Sequence, residues 1–302
     1  MNINVFKYRY IWYTLSLITV SASIIMFFAF GLKQGIDFTG GSLLSVRYQE
    51  EQPLVMEVEQ TLASMELGAM VVQPVGETDM NFRMRTLKED EHQQILALLS
   101  ESYGEITELR FDSIGPVIGQ ELRSKSMSAL VIVFLAILVY IAWTFRHVSV
   151  PIASWKYGVI AIFSSFHDVV IPVGVFAFLG KYYGVEIGTS FIAAILTILG
   201  YSINDTIVVF DRVRENLHKT SGTFAEIVSN SLNQTIVRSV NTTITTLLAL
   251  IAVYLFGGGS IRDFALVLII GIATGAYSSI FVASPLLVTF YKIQQKRKAR
   301  IN

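Results

Sequence analysis

The sequence predicts a polytopic α-helical membrane protein with six transmembrane helices and one α+β domain inserted between helices 1 and 2. Three observations predict this class. Hydrophobic residues make up 53% of the 302-residue chain and charged residues only 15%, whereas about 25% of residues are charged in a typical soluble domain. Several apolar segments reach the roughly 20 residues that a helix needs to cross a bilayer. The single long polar segment shows strand and helix periodicity.

The six predicted spans are long apolar runs with few charges. They are residues 11–31, 127–145, 157–179, 187–210, 240–256 and 264–291. The first is too long for the apolar core of a signal peptide and is followed by no clean small-residue cleavage site, so we expect a retained anchor. The predicted organisation is an N-terminus with the first span (1–31), the polar domain (32–126), a bundle of five spans (127–291) and a basic tail (292–302).

Basic residues near the predicted helix ends are distributed asymmetrically. Those on one side are Lys7, Arg9, Arg146, Lys156, Arg212, Arg214, Lys219, Lys292, Lys296, Arg297, Lys298 and Arg300. Because short loops rich in lysine and arginine stay on the cytoplasmic side of a membrane, we expect both termini there. The polar domain is then extracytoplasmic. The basic tail is expected to rest on anionic lipid.

The polar segment has the pattern of a small two-layer domain. Strands are expected at residues 42–48, 69–74, 81–87 and 105–113, where side chains alternate at period two. Helices are expected at residues 53–65 and 89–101, where apolar side chains recur at helical spacing. This βαββαβ order is that of a ferredoxin-like domain, in which two helices cover one face of a four-stranded antiparallel sheet. The other face is expected to be open to a partner.

Charge and residue usage exclude several functions. The formal net charge is zero, which argues against nucleic-acid binding, because that needs a basic surface. The chain has no cysteine, which excludes disulfides and thiol chemistry. Its histidines, at positions 92, 147, 167 and 218, lack ligand spacing, and no Walker loop, HExxH motif or nucleophile elbow occurs. We therefore expect no metal, no cofactor and no enzymatic activity.

The most informative charges lie within or beside the apolar segments. Asp205 lies about a turn and a half before the end of the fourth span, and Arg238 lies at the start of the fifth. Because consecutive spans run antiparallel, the two charges can lie at one depth and pair, which reduces the cost of burying both. Protonation of Asp205 would dissolve the pair, which is a two-state element suited to a proton-driven motor. The alternative is that Arg238 only anchors its helix at the lipid headgroups.

Other polar side chains accompany this pair. Hydroxyl and amide groups that could hold water near Asp205 belong to Ser202, Asn204, Thr242, Thr243, Thr245 and Thr246. Asp168 lies near the middle of the third span, beside His167. We interpret these two residues as a supporting hydrogen-bonded contact between helices, since no basic group lies at a matching depth. A proton carrier is the alternative.

Glycines mark the connections between the polar domain and the spans. The residues concerned are Gly35, Asp37, Gly40 and Gly41 before the domain and Gly115 and Pro116 after it. A glycine cluster of this kind is typical of an ordinary turn. The functional alternative is a hinge, since glycine admits backbone conformations that other residues avoid.

Four motifs carry a resemblance to a known family. They are GIDFTGG after the first span, SIGPVIGQELRSKS before the second, HDV in the third and GYSINDTIVVFDRVREN at the end of the fourth. Together they closely resemble the SecF family, whose members work with SecD and belong to the resistance-nodulation-division superfamily. The resemblance covers nearly the whole chain.

The resemblance implies a function and a set of partners. A SecF-like subunit uses the proton motive force with SecD to promote export of unfolded preproteins through the SecYEG channel of the bacterial cytoplasmic membrane. YajC and YidC are further candidate partners. The resemblance assigns the proton pathway to Asp205 and Arg238, and sodium is the alternative ion. Two other functions stay open: a small-molecule exporter of the same superfamily, and a passive factor that assembles a channel without using energy.

Overall fold

The computed structural model describes residues 5–144, 146 and 152–301. Phe145, the predicted end of the second span, and His147 lie outside the described residues. The chain divides into two compact units. The helical unit comprises residues 1–33 and 128–302, and the sheet unit comprises residues 34–127.

Helices dominate the part of the chain that the structure describes. In chain order the elements are α1 Arg9–Phe30, α2 Ile36–Thr39, β1 Gly41–Tyr48, α3 Val55–Leu62, β2 Val71–Val75, β3 Asp79–Met84, α4 Glu89–Tyr103, β4 Ile106–Ile114, α5 Pro116–Thr144, α6 Ser154–Tyr183, α7 Thr189–Lys219, α8 Phe224–Phe256, α9 Gly259–Ser278 and α10 Ser284–Ile301. A 3-10 turn at Ala63–Met65 follows α3, and a π-helical turn at Ser279–Ala283 joins α9 to α10.

Six helical segments are long and apolar enough to cross a membrane: α1, α5, α6, α7, α8 and the continuous segment Gly259–Arg297. Each predicted span falls on one of them. The prediction of a mostly helical protein with six candidate membrane helices and a small antiparallel sheet is therefore confirmed.

Several helices extend well beyond the apolar runs that predicted them. Helix α8 begins at Phe224, whereas the apolar run begins only at Val240. Its start is set by a capping box, in which Thr223 Oγ1 accepts a hydrogen bond from the Glu226 backbone N–H at 3.4 Å and the Glu226 carboxylate accepts one from the Thr223 N–H at 2.8 Å. Hydropathy marks only the part of a helix suited to hydrocarbon, so it cannot locate such polar ends.

Small residues bring the helices of the helical unit close together. A Cβ added at Gly174 in α6 would lie 2.4 Å from the Cα of Ser23 in α1. A Cβ at Gly271 in α9 would lie 2.1 Å from the Cδ1 of Ile198 in α7. Glycine leaves room for the α1 backbone at the first position and for the Ile198 side chain at the second, and small residues commonly play this part between membrane helices. The contact between α7 and α9 also brings Ser202 and Ser278 to one carboxylate, that of Asp168.

The sheet unit is a four-stranded antiparallel sheet packed against two helices. The strand order is β2-β3-β1-β4, and the element order is β1-α3-β2-β3-α4-β4. Alternate residues of β1 and β3, such as Leu44 and Phe82, are fully buried and lie opposite one another in the register. They form one core with Val58 of α3 and with Ile95 and Leu99 of α4. The period-two and helical patterns therefore meet in one apolar layer.

An acid-sensitive ion pair ties the start of α4 to the segment after β3. The Arg85 guanidinium donates to both carboxylate oxygens of Glu91, at 2.5 and 3.1 Å, and the Lys88 backbone N–H donates to the same carboxylate at 2.9 Å. The Arg85 hydrogen bonds, with that of Lys88, hold the pKa of Glu91 at about 2. The folded-state pKa lies below the ordinary value, so this contribution to stability exists above about pH 4.5 and is lost as pH falls through about 2.

We therefore expect Glu91→Gln to destabilise the sheet unit at pH 5 and above, with the difference from the parent vanishing near pH 2. Pepsin cleavage of residues 41–114 in the full chain measures local unfolding across the range from pH 2 to 5. A difference between parent and variant that stays constant through this range would contradict the prediction.

Candidate ion-pathway site in the helical unit

Two carboxylates are buried among the helices of the helical unit. Asp168 in α6 is 0% exposed and Asp205 in α7 is 7% exposed. An ionisable group inside a membrane bundle is costly unless it is paired or lines a water-filled path. The partners of each carboxylate therefore indicate what it can do.

Asp168 is held by hydrogen bonds from three helices. Its Oδ2 accepts from the hydroxyls of Ser202 in α7 and of Ser278 in α9, the latter at 2.7 Å. Its Oδ1 lies 2.8 Å from Nδ1 of His167 on its own helix. A Cβ at Gly275 would lie 3.2 Å from the Ser202 Cβ, so the absence of a side chain there lets α9 approach this cluster. The arrangement joins α6, α7 and α9 through one buried carboxylate.

His167 extends this polar cluster towards α1. Its ring is 2% exposed and stacks on Tyr277 with centroids 6.1 Å apart. The Tyr277 hydroxyl donates to the backbone carbonyl of Trp12 at 3.0 Å and accepts from the Ser16 hydroxyl at 3.2 Å. Hydrogen bonds and this one ring contact thus link α1 to α7 through the cluster.

Replacing Asp168 with alanine is expected to destabilise the helical unit by about 3 kcal/mol, because Ser202 and His167 would be left buried without this acceptor, whereas the Ser278 hydroxyl can still donate to the Gly275 carbonyl. Asp168→Asn keeps one acceptor oxygen and should cost less. Thermal unfolding of the purified chain in detergent gives both values, and the control is Asp211→Ala on the exposed side of α7. Parent-like unfolding of Asp168→Ala would show that the cluster does not hold these helices together.

Asp205 has a different environment, with one oxygen bonded and the other free. Its Oδ1 accepts a hydrogen bond from the Ser239 hydroxyl of α8 at 3.2 Å. Its Oδ2 is buried and has no hydrogen-bond partner among the described residues. A buried carboxylate oxygen without a partner is costly, and such oxygens need an explanation of their own. Asp205 is therefore the better candidate for a group that gains and loses a proton.

The expected ion pair between Asp205 and Arg238 is not present in the described part of the chain. Arg238 is exposed on α8, and the carboxylate contacts the next residue, Ser239. Successive residues on a helix point about 100° apart, because the helix has 3.6 residues per turn. With Ser239 turned towards α7, Arg238 is turned outwards. Its part in an ion pathway remains a prediction.

The polar residues expected around Asp205 divide between inward and outward positions. Asn204 is exposed. Thr242 and Thr245 are also exposed, and their hydroxyls donate to backbone carbonyls of their own helix, at 2.8 and 2.9 Å. These three residues therefore do not line the carboxylate in this structure. Ser202 is buried, but its partner is Asp168.

Sequence reasoning missed Ser239, the residue that contacts Asp205. Its signal is the spacing of hydroxyl residues along α8, where positions 231, 235, 239 and 243 carry serine or threonine. Residues four apart lie on one helix face. Thr243, which the sequence did single out, is 6% exposed, and its hydroxyl has no partner among the described residues.

The glycine-containing connections lie within the sheet unit and contact each other. Gly35 precedes α2, whose first turn includes Asp37, and Gly40 follows α2 with φ of 74° and ψ of 172°. A Cβ at Gly40 would lie 2.7 Å from the Cα of Pro116. Similarly, a Cβ at Gly119 in α5 would lie 2.8 Å from the Gly40 nitrogen.

Gly41 shares the unusual backbone geometry of Gly40, with φ of 118°. A Cβ there would lie 2.8 Å from the backbone oxygen of Met84. Gly115, by contrast, has open space around its Cα. In this structure the entry and exit segments of the sheet unit are therefore packed backbone to backbone at Gly40.

Comparison with known proteins identifies two family descriptions in the chain. Residues 94–293 match "Protein export membrane protein SecD/SecF, C-terminal", and residues 25–51 match "SecD/SecF GG Motif". The protein translocase subunit SecF of Thermobaculum terrenum is 42% identical over 95% of this chain and 94% of its own length. That of Sebaldella termitidis is 36% identical over 100% of this chain and 96% of its own.

Solved structures show the same relationship. The chain is similar to the crystal structure of SecDF, a translocon-associated membrane protein from Thermus thermophilus, with a TM-score of 0.82 and 33% identity. The similarity covers 97% of this chain but only 39% of the SecDF chain. This protein therefore corresponds to less than half of the length of that relative.

The fold and its buried carboxylates define a polytopic helical membrane protein with ionisable groups inside the bundle. The family description that includes α5 to α9 matches about two thirds of the chain, and the SecF relatives extend over nearly all of it. The chain belongs to the SecF family of protein translocase subunits.

Proposed function

We propose that this protein works with SecD to couple the proton motive force to export of unfolded preproteins through the SecYEG channel. The observation that carries the proposal is Asp205, a carboxylate 7% exposed in a candidate membrane helix, with one oxygen unpartnered among the described residues. Membership of the SecF family supplies the process, since the relatives are named protein translocase subunits.

The chemistry rests on the two states of Asp205. In the charged state the carboxylate accepts the Ser239 hydrogen bond and attracts Arg238 electrostatically. In the protonated state that attraction disappears, and α7 and α8 are free to change their packing. One proton crossing 100 mV releases about 2.3 kcal/mol, and a pH unit adds about 1.4 kcal/mol, so a few protons can drive a conformational change. Sodium is the alternative ion.

SecD is the principal proposed partner. The chain spans 39% of the SecDF chain that it resembles, which leaves room for a second subunit. Large apolar side chains are exposed along α5 and α8, including Val139, Trp143 and Leu248, and we propose that SecD covers part of this surface and lipid the rest. YajC and YidC are further candidate partners on the family resemblance alone.

The sheet unit is proposed to be a ferredoxin-like domain on the outer side of the bacterial cytoplasmic membrane. Its βαββαβ element order and β2-β3-β1-β4 strand order support that fold. The basic residues near the ends of the spans support an orientation with both termini in the cytoplasm. In this orientation the sheet unit is available to a preprotein that has crossed the channel.

Two measurements test the proposed function. The first is co-purification of this protein with the SecD encoded in the same genome. The second is export of a preprotein into inverted membrane vesicles, with and without an imposed proton gradient. We expect a stable complex and a gradient-dependent gain in export that requires both subunits. Transport of a small molecule without any effect on preproteins would favour the exporter alternative.

The role of Arg238 has its own test in the same vesicles. We expect Arg238→Lys to retain much of the gradient-stimulated export and Arg238→Leu to retain little, because only lysine keeps a positive charge beside the Asp205 site. Full activity in both would mean that Arg238 only anchors α8.

A further inference from the structure

Helix α8 carries a line of buried hydroxyl groups on the face that leads to Asp205. Ser231, Thr235, Ser239 and Thr243 are spaced four residues apart and are 0%, 5%, 3% and 6% exposed. We call these four residues the hydroxyl stripe. Residues on the opposite face, such as Val237 and Ile244, are exposed and apolar. The buried face of α8 therefore combines this line of hydroxyls with apolar residues such as Val228 and Leu232, which belong to the hydrophobic core.

The stripe connects Asp205 with the end of the bundle where α7 joins α8. At that end the Asn216 side-chain amide of α7 donates to the Ser231 hydroxyl at 2.8 Å and to Gln234 at 3.0 Å. The connection that follows, residues 220–223, is largely exposed. Thr235 comes next along the stripe, and Ser239 then donates to Asp205. A series of polar groups therefore runs from an exposed connection to a buried carboxylate.

The spacing of the stripe suits water between its members. Four residues of α-helix advance about 6 Å, which is about the length of two hydrogen bonds of 2.8 Å each. One water molecule between successive hydroxyls would therefore complete a chain. In the structure Thr235 donates to backbone carbonyls of α8 at 3.1 Å, and rotation of its hydroxyl would make that donor available. Val209 and Val213 of α7 are buried in the same hydrophobic core as Val228 and Leu232 of α8, so water between the hydroxyls would be confined by apolar side chains.

Close packing is the simpler explanation of such a stripe, because small residues let membrane helices approach. A second observation favours a path. Asp205 Oδ2 and Thr243 Oγ1, both in residues more than nine-tenths buried, lack hydrogen-bond partners among the described residues. If the stripe served packing alone, these two unpartnered atoms would be unfavourable, because burying a polar atom without a hydrogen bond costs free energy. Unpartnered atoms are expected at this position if Asp205 and Thr243 bind water molecules or a proton during function.

We propose that the hydroxyl stripe is the route by which protons pass between Asp205 and the side of the membrane where α7 joins α8. The direction of proton movement rests on the proposed function. In that function, the side where α7 joins α8 is the cytoplasm, so protons would leave Asp205 along the stripe. Ser239 is the positioning residue at the carboxylate, and Thr235 and Ser231 lead from it to the exposed connection.

A cysteine scan tests the route directly, because the natural chain has no cysteine. Ser231, Thr235, Ser239 and Thr243 are changed to cysteine one at a time in the full chain with SecD, and Ile244→Cys, which is exposed within the apolar run, is the lipid-facing control. Silver ion is added from one side of sealed vesicles, and the thiols that remain are counted after denaturation. Silver is small and reaches a thiol only where water does.

We expect silver from the α7–α8 side to react with the stripe cysteines about tenfold faster than with Ile244→Cys, since hydrocarbon excludes ions. The rate should fall from position 231 to position 239. Reaction that begins at position 243 from the opposite side would overturn the proposed direction, and no reaction at positions 235 and 239 from either side would overturn the route. The scan does not depend on export, so the route can fail while the proposed function stands, and the reverse.

The role of the hydroxyls themselves is tested by Thr235→Val, which keeps the branched shape. We expect gradient-stimulated export to fall severalfold, with recovery in Thr235→Ser. The matched control is Thr197→Val on α7, where the threonine is exposed and bonds only to its own helix. If Thr235→Val unfolds at the parent temperature and exports normally across a range of imposed gradients, the stripe serves packing alone.

Discussion

Asp205→Asn is expected to abolish gradient-stimulated export while leaving the protein folded and assembled with SecD. Asparagine keeps the size of the side chain and can still accept the hydrogen bond that Ser239 donates to Asp205 at 3.2 Å. It cannot take up or release a proton in the physiological range. The loss should therefore be confined to the part of export that the gradient drives.

The control for this prediction lies on the same helix. Asp211 is exposed and pairs with Arg214 at 3.1 Å, so Asp211→Asn makes the same chemical change outside the buried site. The measurement is export into inverted vesicles with and without a gradient, together with recovery of the complex with SecD. Normal gradient stimulation in Asp205→Asn would remove the proton role and favour a passive assembly factor.

The membrane helices were predictable because hydrocarbon imposes a length and a composition on any segment that crosses it. Their ends were not predictable in the same way. Helix α8 begins at Phe224 because Thr223 and Glu226 form a capping box, and these polar residues lie outside the apolar run. The capping pattern is present in the sequence, but hydropathy takes no account of it.

The buried carboxylates were also predictable, since a charge inside an apolar run is conspicuous. Their partners were less so. A shift of one residue along α8 replaces Ser239 with Arg238 and turns the side chain by about 100°, so matching two helices only by depth could not decide between them. The hydrogen bonds from Ser202 and Ser278 to Asp168 depend on how three helices pack, which no local pattern specifies.

The connections around the sheet unit show a different limit. The glycine cluster was visible, but the sequence allowed both a turn and a hinge. The structure shows Gly40 with φ of 74° and Gly41 with φ of 118°, which proline cannot adopt because its ring fixes φ near −65°. Proline substitutions there would disrupt the local fold and would not test motion. Alanine makes a more discriminating change.

Gly40→Ala is expected to destabilise the sheet unit strongly. Gly40 has φ of 74° and ψ of 172°, a region that is essentially restricted to glycine and costs any other residue about 1 to 3 kcal/mol. The new Cβ would also lie 2.7 Å from the Pro116 Cα, and backbone on both sides of this contact cannot move aside as a flexible side chain would. The total cost should therefore exceed that of the backbone strain alone.

Gly104 supplies the matched control, because it has nearly the same backbone conformation, φ of 85° and ψ of −172°, with nothing within 4 Å of a Cβ. Gly104→Ala should therefore show the strain alone, and the difference between the variants measures the contact with Pro116. Protease resistance of residues 41–114 in the full chain, measured with denaturant, gives both values. Equal losses would show that this contact adds nothing to stability.

Export by the same variants separates a fixed contact from a hinge. If the contact between Gly40 and Pro116 holds the entry and exit of the sheet unit together throughout the cycle, Gly40→Ala should lose stability and export in parallel, and a second change that restores stability should restore export. If the glycines act as a hinge, the contact must open during the cycle. Export would then stay low in Gly40→Ala even after stability is restored, because alanine restricts the conformations through which the backbone must pass.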